Sequence, residues 1–198
     1  MSGERGFSKE DIDRAMHITN VLPGGDGGGI IDDTLRRAAT LCPIIERNQG
    51  LSVILTRRAE NLRAHPGQIS FPGGKIDPTD PSPLDAALRE AEEEIGLRAD
   101  QVSVSGALHP YPTGTGFLVT PFIGFIEPTF KAIADPTEVA EVFEVPLSFV
   151  MNRENYRRES YSRDGKRRHF YVIMVREYRI WGATAGMLRE LAERVAKL

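Results

Sequence analysis

The sequence predicts an α/β chain in which a mixed sheet is packed between helices. Two observations lead there. Several short apolar runs with strand character surround one long acidic helical segment, and an apolar-periodic segment over residues 184–196 predicts a C-terminal helix. The chain has 198 residues, 40% of them apolar, which suits one domain with a real core.

Taken in order, residues 7–18 predict a short helix capped by Ser8. Gly24-Gly25-Asp26-Gly27-Gly28-Gly29 then breaks regular structure and reads as a flexible linker. A phosphate-cradling loop fits less well, because no Gly-Lys-Ser/Thr and no preceding strand accompany it. The chain therefore divides into an N-terminal segment, 1–35, and a main domain, 36–198. Residues 38–45 and 51–56 read as strands, with Glu46-Arg47-Asn48-Gln49-Gly50 as the turn between them. Cys42 falls in the first of these as a small buried hydrophobe. Residues 68–72 make a further short strand that leads into Gly73-Gly74. Asp80-Pro81-Ser82-Pro83 is a helix-start signal, and the helix runs to about Ile95, where Gly96 can end it. Strands follow at 101–108, 115–126, 141–147 and 168–176. The C-terminal helix buries Met187, Leu188, Leu191 and Val195. Trp181 reads as a core anchor. Tyr111, Phe117 and Phe143 read as core packing, with contact to a substrate as the alternative. The basic run Arg157, Arg158, Arg163, Lys166, Arg167 and Arg168 reads as a solvated loop around a turn, or else as a rim that attracts an anionic substrate.

Composition narrows the function. A formal net charge of −3 weighs against a protein that binds nucleic acid through backbone electrostatics. A single cysteine excludes an intrachain disulfide or a cysteine metal cluster. With no signal-peptide pattern and no apolar run of bilayer length, a soluble cytoplasmic enzyme without a membrane partner is expected.

The chemistry is concentrated in Arg89-Glu90-Ala91-Glu92-Glu93-Glu94-Ile95-Gly96-Leu97. With Glu90 at zero on a wheel of about 100° per residue, Glu94 falls at about 40° and Glu93 at about 300°. These three carboxylates share one face, while Leu84, Leu88, Ala91 and Ile95 form the buried stripe and Glu92 points away. Like charges at such spacings repel, so a positive partner is required. Divalent Mg2+ or Mn2+ accepts such oxygen ligands and can bridge them to phosphate oxygens. Arg89 can pair with Glu93 or hold a carboxylate in place. The glycine pair lets the backbone approach closely, and a carbonyl there could serve as a ligand. Asp77 and Asp80 lie in the connecting loop and either position water, cap the helix or face solvent.

Residues Gly74 to Leu97 resemble the Nudix box of nucleoside-diphosphate-linked-moiety hydrolases. Its second half is matched by Arg89, Glu90, Ala91, Glu93, Glu94, Gly96 and Leu97. In its first half Asp80 stands where the pattern has Glu, and the spacing to Arg89 is one residue longer. A longer segment, Leu55 to Asp77, is similar to the coenzyme A diphosphatase branch through Leu62-Arg63-Ala64-His65-Pro66-Gly67 and Phe71-Pro72-Gly73-Gly74. The resemblance implies a Nudix-type α/β/α sandwich. It also implies metal held by Glu90, Glu94, Glu93 and Gly74, with Arg89 as a companion, and water activated by Glu93, Glu138 or Glu141. The expected reaction is in-line attack on the diphosphate of coenzyme A, giving 3',5'-ADP and 4'-phosphopantetheine. The alternatives are ADP-ribose or another nucleoside diphosphate derivative as substrate, or a nucleotide-binding module without turnover. Arg57, Arg58, Arg63, His65 and Lys75 are the candidate substrate contacts, because arginine suits bidentate phosphate binding. Arg57 and Arg58 should point to opposite faces if the strand runs through both. The N-terminal segment and the C-terminal helix are the surfaces available to a homodimer.

Overall fold

The computed structural model describes residues 6–22, 31–62, 65–163 and 165–198. The glycine-rich stretch predicted as a linker lies outside the described residues, as does Arg63.

The N-terminal helix α1, Lys9–Met16, begins at Ser8, whose hydroxyl accepts from the Asp11 N–H while the Asp11 carboxylate accepts from the Ser8 N–H. Strands β1, Arg36–Arg47, and β2, Gly50–Arg58, form an antiparallel pair that diverges beyond Val53. Two short strands fill that fork. β3, Ile69–Ser70, pairs with β2, and β4, Gly73–Lys75, pairs with β1. The helix α2, Pro83–Ile95, follows. Strands β5, Val102–Ala107, β6, Tyr111–Pro112, β7, Phe117–Ile126, and β8, Val139–Pro146, complete the sheet. β7 runs parallel to β1 from Arg36↔Phe117 to Ile45↔Ile126, so the sheet is mixed.

Alternation along β1 divides the core into two layers. Ala39, Leu41 and Ile45 pack with Ala87, Ala91 and Ile95 of α2. Ala38, Cys42 and Ile44 pack on the opposite side, where the helices α3, Leu147–Met151, and α4, Ala183–Val195, cover the sheet. The result is the expected α/β/α sandwich. α1 belongs to this second layer, because Ile12, Ala15 and Met16 are buried in the same cluster.

A second antiparallel sheet is formed by β9, Tyr156–Arg163, β10, Lys166–Val175, and β11, Tyr178–Trp181. The basic run read as a solvated loop is thus mostly the strand pair β9–β10. Trp181 is not a core anchor; it keeps 37% of its surface exposed at the end of β11. Leu84 and Leu88 are only partly buried, since small Ala86 and Ala87 bring the start of α2 against the sheet. Among the described residues no helix is long and apolar enough to cross a membrane.

Candidate active site

The helix α2 starts and stops where its sequence directs. The Ser82 hydroxyl accepts from the Asp85 N–H, Pro83 occupies the first turn, and Gly96 ends the helix in the left-handed region at φ +70°. Its last turn contains Glu92, Glu93 and Glu94 and no base. Acids there face the negative end of the helix dipole as well as one another.

Arg89 offsets part of this charge and ties the helix to the preceding loop. Its Nε and Nη2 donate to the two oxygens of Asp80 at 2.9 and 3.0 Å. Nη2 also donates to the Lys75 carbonyl, while Nη1 donates to Glu90 at 2.9 Å and Glu93 at 3.1 Å. The guanidinium holds the Asp80 carboxyl below the usual carboxylate range. Asp80 therefore latches Arg89 despite its shorter side chain and the longer loop. Its place in the box was the available sequence signal.

The three glutamates differ in burial. Glu93 is 60% exposed in its side chain, Glu90 17%, and Glu94 only 3% as a residue. Burial raises the Glu94 pKa to about 8; Glu90 and Glu138 push the same way, against Arg58 and the Gly73 N–H. Burial, with Glu93 and Glu138, also raises Glu90 against the pull of Arg89. The glycine pair makes the packing feasible. A β-carbon on Gly74 would lie 2.5 Å from the Glu90 carboxylate, and one on Gly73, at φ +153°, would meet the Ala39 carbonyl at 2.5 Å.

Arg57 and Arg58 point apart, across an irregularity in the β2–β8 register. Arg57 donates to Glu141 at 3.1 Å, and Tyr178 donates to the other Glu141 oxygen at 2.5 Å. Arg58 instead acts on Glu94 and lines an adjoining cavity of about 800 Å³. The Glu138 charge disfavours ionisation of both Glu90 and Glu94. The loop before β8 brings it there: the Asp135 N–H donates to the Glu94 carbonyl and the Ile133 N–H to that of Ile95. His65 lines the cavity in the left-handed region at φ 56°, and Lys75 is exposed. Glu90, Glu93 and Glu94 do not line this cavity; Arg58 and Gly73 link it to them.

A divalent cation fits these residues. Glu94 Oε2, Arg58 Nε and Thr40 Oγ1 are buried without a hydrogen-bond partner, and such atoms ordinarily have one. Among the described residues no three acidic, histidine or cysteine side chains converge as a complete metal cage. Magnesium does not need one, since it retains water and takes one or two carboxylates plus substrate phosphate.

Residues 35–164 match the family profile described as the NUDIX domain. A protein of Photorhabdus laumondii subsp. laumondii, described as an uncharacterized Nudix hydrolase NudL, is 41% identical over 165 residues, 83% of this chain and 88% of that protein. An Escherichia coli K12 protein of the same description is 42% identical over 160 residues, 81% of this chain and 83% of its own. The fold is also similar to a MutT/nudix family protein from Enterococcus faecalis, with TM-score 0.54 and 12% identity over 98% of this chain and 76% of that one.

Proposed function

The chain belongs to the NUDIX domain family, and on that premise we propose that it hydrolyses the diphosphate linkage of a nucleoside diphosphate derivative. The observation that carries this reading is the buried, partnerless Glu94 oxygen among Glu90, Glu138 and Arg58, at the acidic end of α2. We assign Glu90 and Glu94 to holding the cation, Mg2+ or Mn2+, with Glu93 and the Gly74 carbonyl as further donors. A bound cation neutralises phosphate oxygens and lowers the pKa of an attacking water. Arg89 is a positioning residue that fixes Glu90 and Glu93 against Asp80. Glu138, exposed and near enough for its charge to act on both Glu90 and Glu94, is the favoured base for the water. Glu141 serves instead to orient Arg57. Arg58 faces the phosphates, since its Nε is buried without a partner. His65, which lines the cavity, and Lys75, exposed at the end of β4, are the further candidate substrate contacts.

The finer substrate reading is coenzyme A, supported by the segment from Leu55 to Asp77. ADP-ribose requires the same chemistry and stands beside it. Purified chain supplied with magnesium or manganese is to be given coenzyme A, dephospho-coenzyme A and ADP-ribose, with products identified by mass. Metal-dependent cleavage of the diphosphate, lost in Glu94→Gln, is expected. Release of 3',5'-ADP from coenzyme A in preference to cleavage of ADP-ribose supports the finer reading, and the reverse preference rejects it. Metal binding with no product from any of the three points to a nucleotide-binding module.

A further inference from the structure

The tetrad Asp77-Pro78-Thr79-Asp80 before α2 recurs, with an acid again in fourth place, as Asp135-Pro136-Thr137-Glu138 before β8. Both fold the same way. The Thr79 N–H and hydroxyl donate to Asp77 Oδ1 at 3.0 and 2.8 Å, and those of Thr137 donate to Asp135 Oδ1 at 2.8 and 2.7 Å. The Asp80 N–H donates to the Asp77 carbonyl at 2.9 Å, and the Glu138 N–H to the Asp135 carbonyl at 3.1 Å. The residue types favour this closure: aspartate bonds the backbone two residues on, and proline presets φ at the second turn position. Each turn brings its fourth side chain towards the acids of α2. Asp80 reaches Arg89, and the Glu138 charge acts on Glu90 and Glu94.

The turns differ in where the first N–H goes. The Asp77 N–H donates to the Asp80 carboxylate at 2.7 Å, and Arg89 holds both oxygens of that carboxylate. The Asp135 N–H donates instead to the Glu94 carbonyl at 3.0 Å. Asp135 therefore links the backbones of Glu94 and Glu138 through its own N–H and carbonyl. The Val139 N–H adds a bond to that carbonyl at 2.8 Å, and the Ala59 N–H, next to Arg58, donates to the Glu138 carbonyl at 2.9 Å. Among the described residues the Glu138 carboxylate has neither a hydrogen bond nor an ion pair. One turn fixes its acid in the structure; the other fixes the backbone and leaves the acid free. We propose that Asp135 is a positioning residue whose turn sets the Glu138 carboxylate, the base of the proposed reaction, against Glu90 and Glu94. The purpose of this placement rests on the diphosphate-hydrolase reading.

Turnover of coenzyme A and ADP-ribose with magnesium is to be measured for wild type, Asp135→Ala, Asp135→Asn, Glu138→Gln and Asp135→Ala/Glu138→Gln, with melting temperatures as the check on folding. Glu138→Gln should lower kcat by about 100-fold or more, as loss of a general base does. Asp135→Ala should lower kcat by about tenfold through misplacement of that base and leave KM within about twofold. Asp135→Asn should recover most of the loss, because asparagine makes the same turn. In the Glu138→Gln background Asp135→Ala should add little, since both changes act through one carboxylate. An undiminished loss in that background, or an unchanged kcat in either Asp135→Ala or Glu138→Gln, would overturn the proposal. Amide hydrogen exchange gives a readout without turnover. Protection of the Glu138 and Val139 N–H groups should fall in Asp135→Ala and return in Asp135→Asn; unaltered protection also overturns the proposal. If that pattern appears while wild type cleaves neither substrate, the hold of the turn on Glu138 stands and the hydrolase reading fails.

Discussion

Glu94 meets three adverse conditions at once: burial, the negative end of α2, and the charges of Glu90 and Glu138. Its pKa rises from the ordinary 4.5 to about 8. Between those values the folded chain holds this proton more tightly than the unfolded chain, so the Glu94 contribution to stability falls as pH rises through the window. Depressed carboxyls such as Asp80 act the other way and at lower pH, below their ordinary 3.8. A divalent cation favours the ionised carboxylate and should restore what the metal-free chain loses. Thermal unfolding from pH 5 to 8, in chelator and in excess magnesium, is therefore expected to show a metal-dependent gain that grows with pH. In Glu94→Gln that gain and this part of the pH slope should both shrink. An unchanged slope in the variant would mean that another group dominates.

At the scale of elements, what could be read from sequence was local. Ser8, Ser82, Pro83 and Gly96 mark helix ends by their own backbone chemistry, and the structure places α1 and α2 accordingly. The wheel grouped Glu90, Glu93 and Glu94 on one face, but their graded burial depends on how closely β4 approaches and was not legible. β9 was missed because Tyr156–Arg163 is mostly polar or charged and becomes a strand only by pairing with β10. The pair Glu190 and Arg194 likewise reads as an ordinary i,i+4 surface pair, yet the residues are 1% and 2% exposed. Arg194 Nη2 donates to Glu190 at 2.8 Å, and Nη1 donates to the Met16 carbonyl at the end of α1 at 3.2 Å. The His109 N–H donates to the same glutamate at 3.0 Å. Removing one partner leaves a buried charge, so Arg194→Met should destabilise by about 3–5 kcal/mol, a fall in melting temperature on the order of 10 °C. Glu190→Leu/Arg194→Met should lose less than the single change, because no charge is stranded. Urea denaturation of wild type, both single variants and the double variant provides the cycle; a double variant as unstable as the sum of the singles would refute the stranded-charge account.

Across the whole molecule, the family profile ends at residue 164, but the core does not. Ile173, Ile180, Met187, Leu188 and Leu191 are buried with Cys42, Ile44, Val53 and Leu55 of the central sheet. The Thr184 hydroxyl donates to the Ile69 carbonyl at 3.1 Å and fixes the start of α4 to β3. Burial of each large apolar side chain contributes about 1.5–3 kcal/mol, so those five together reach the order of a domain's entire stability, about 5–15 kcal/mol. The folding unit proposed here therefore includes β10, β11 and α4, and these elements also supply one wall of the cavity. A fragment of residues 35–164 should expose one face of the central sheet and show no cooperative melting, whereas the 198-residue chain should unfold in one transition in which far- and near-ultraviolet signals coincide. A fragment that melts cooperatively and binds magnesium would show that β10, β11 and α4 are an accessory layer on a self-sufficient core.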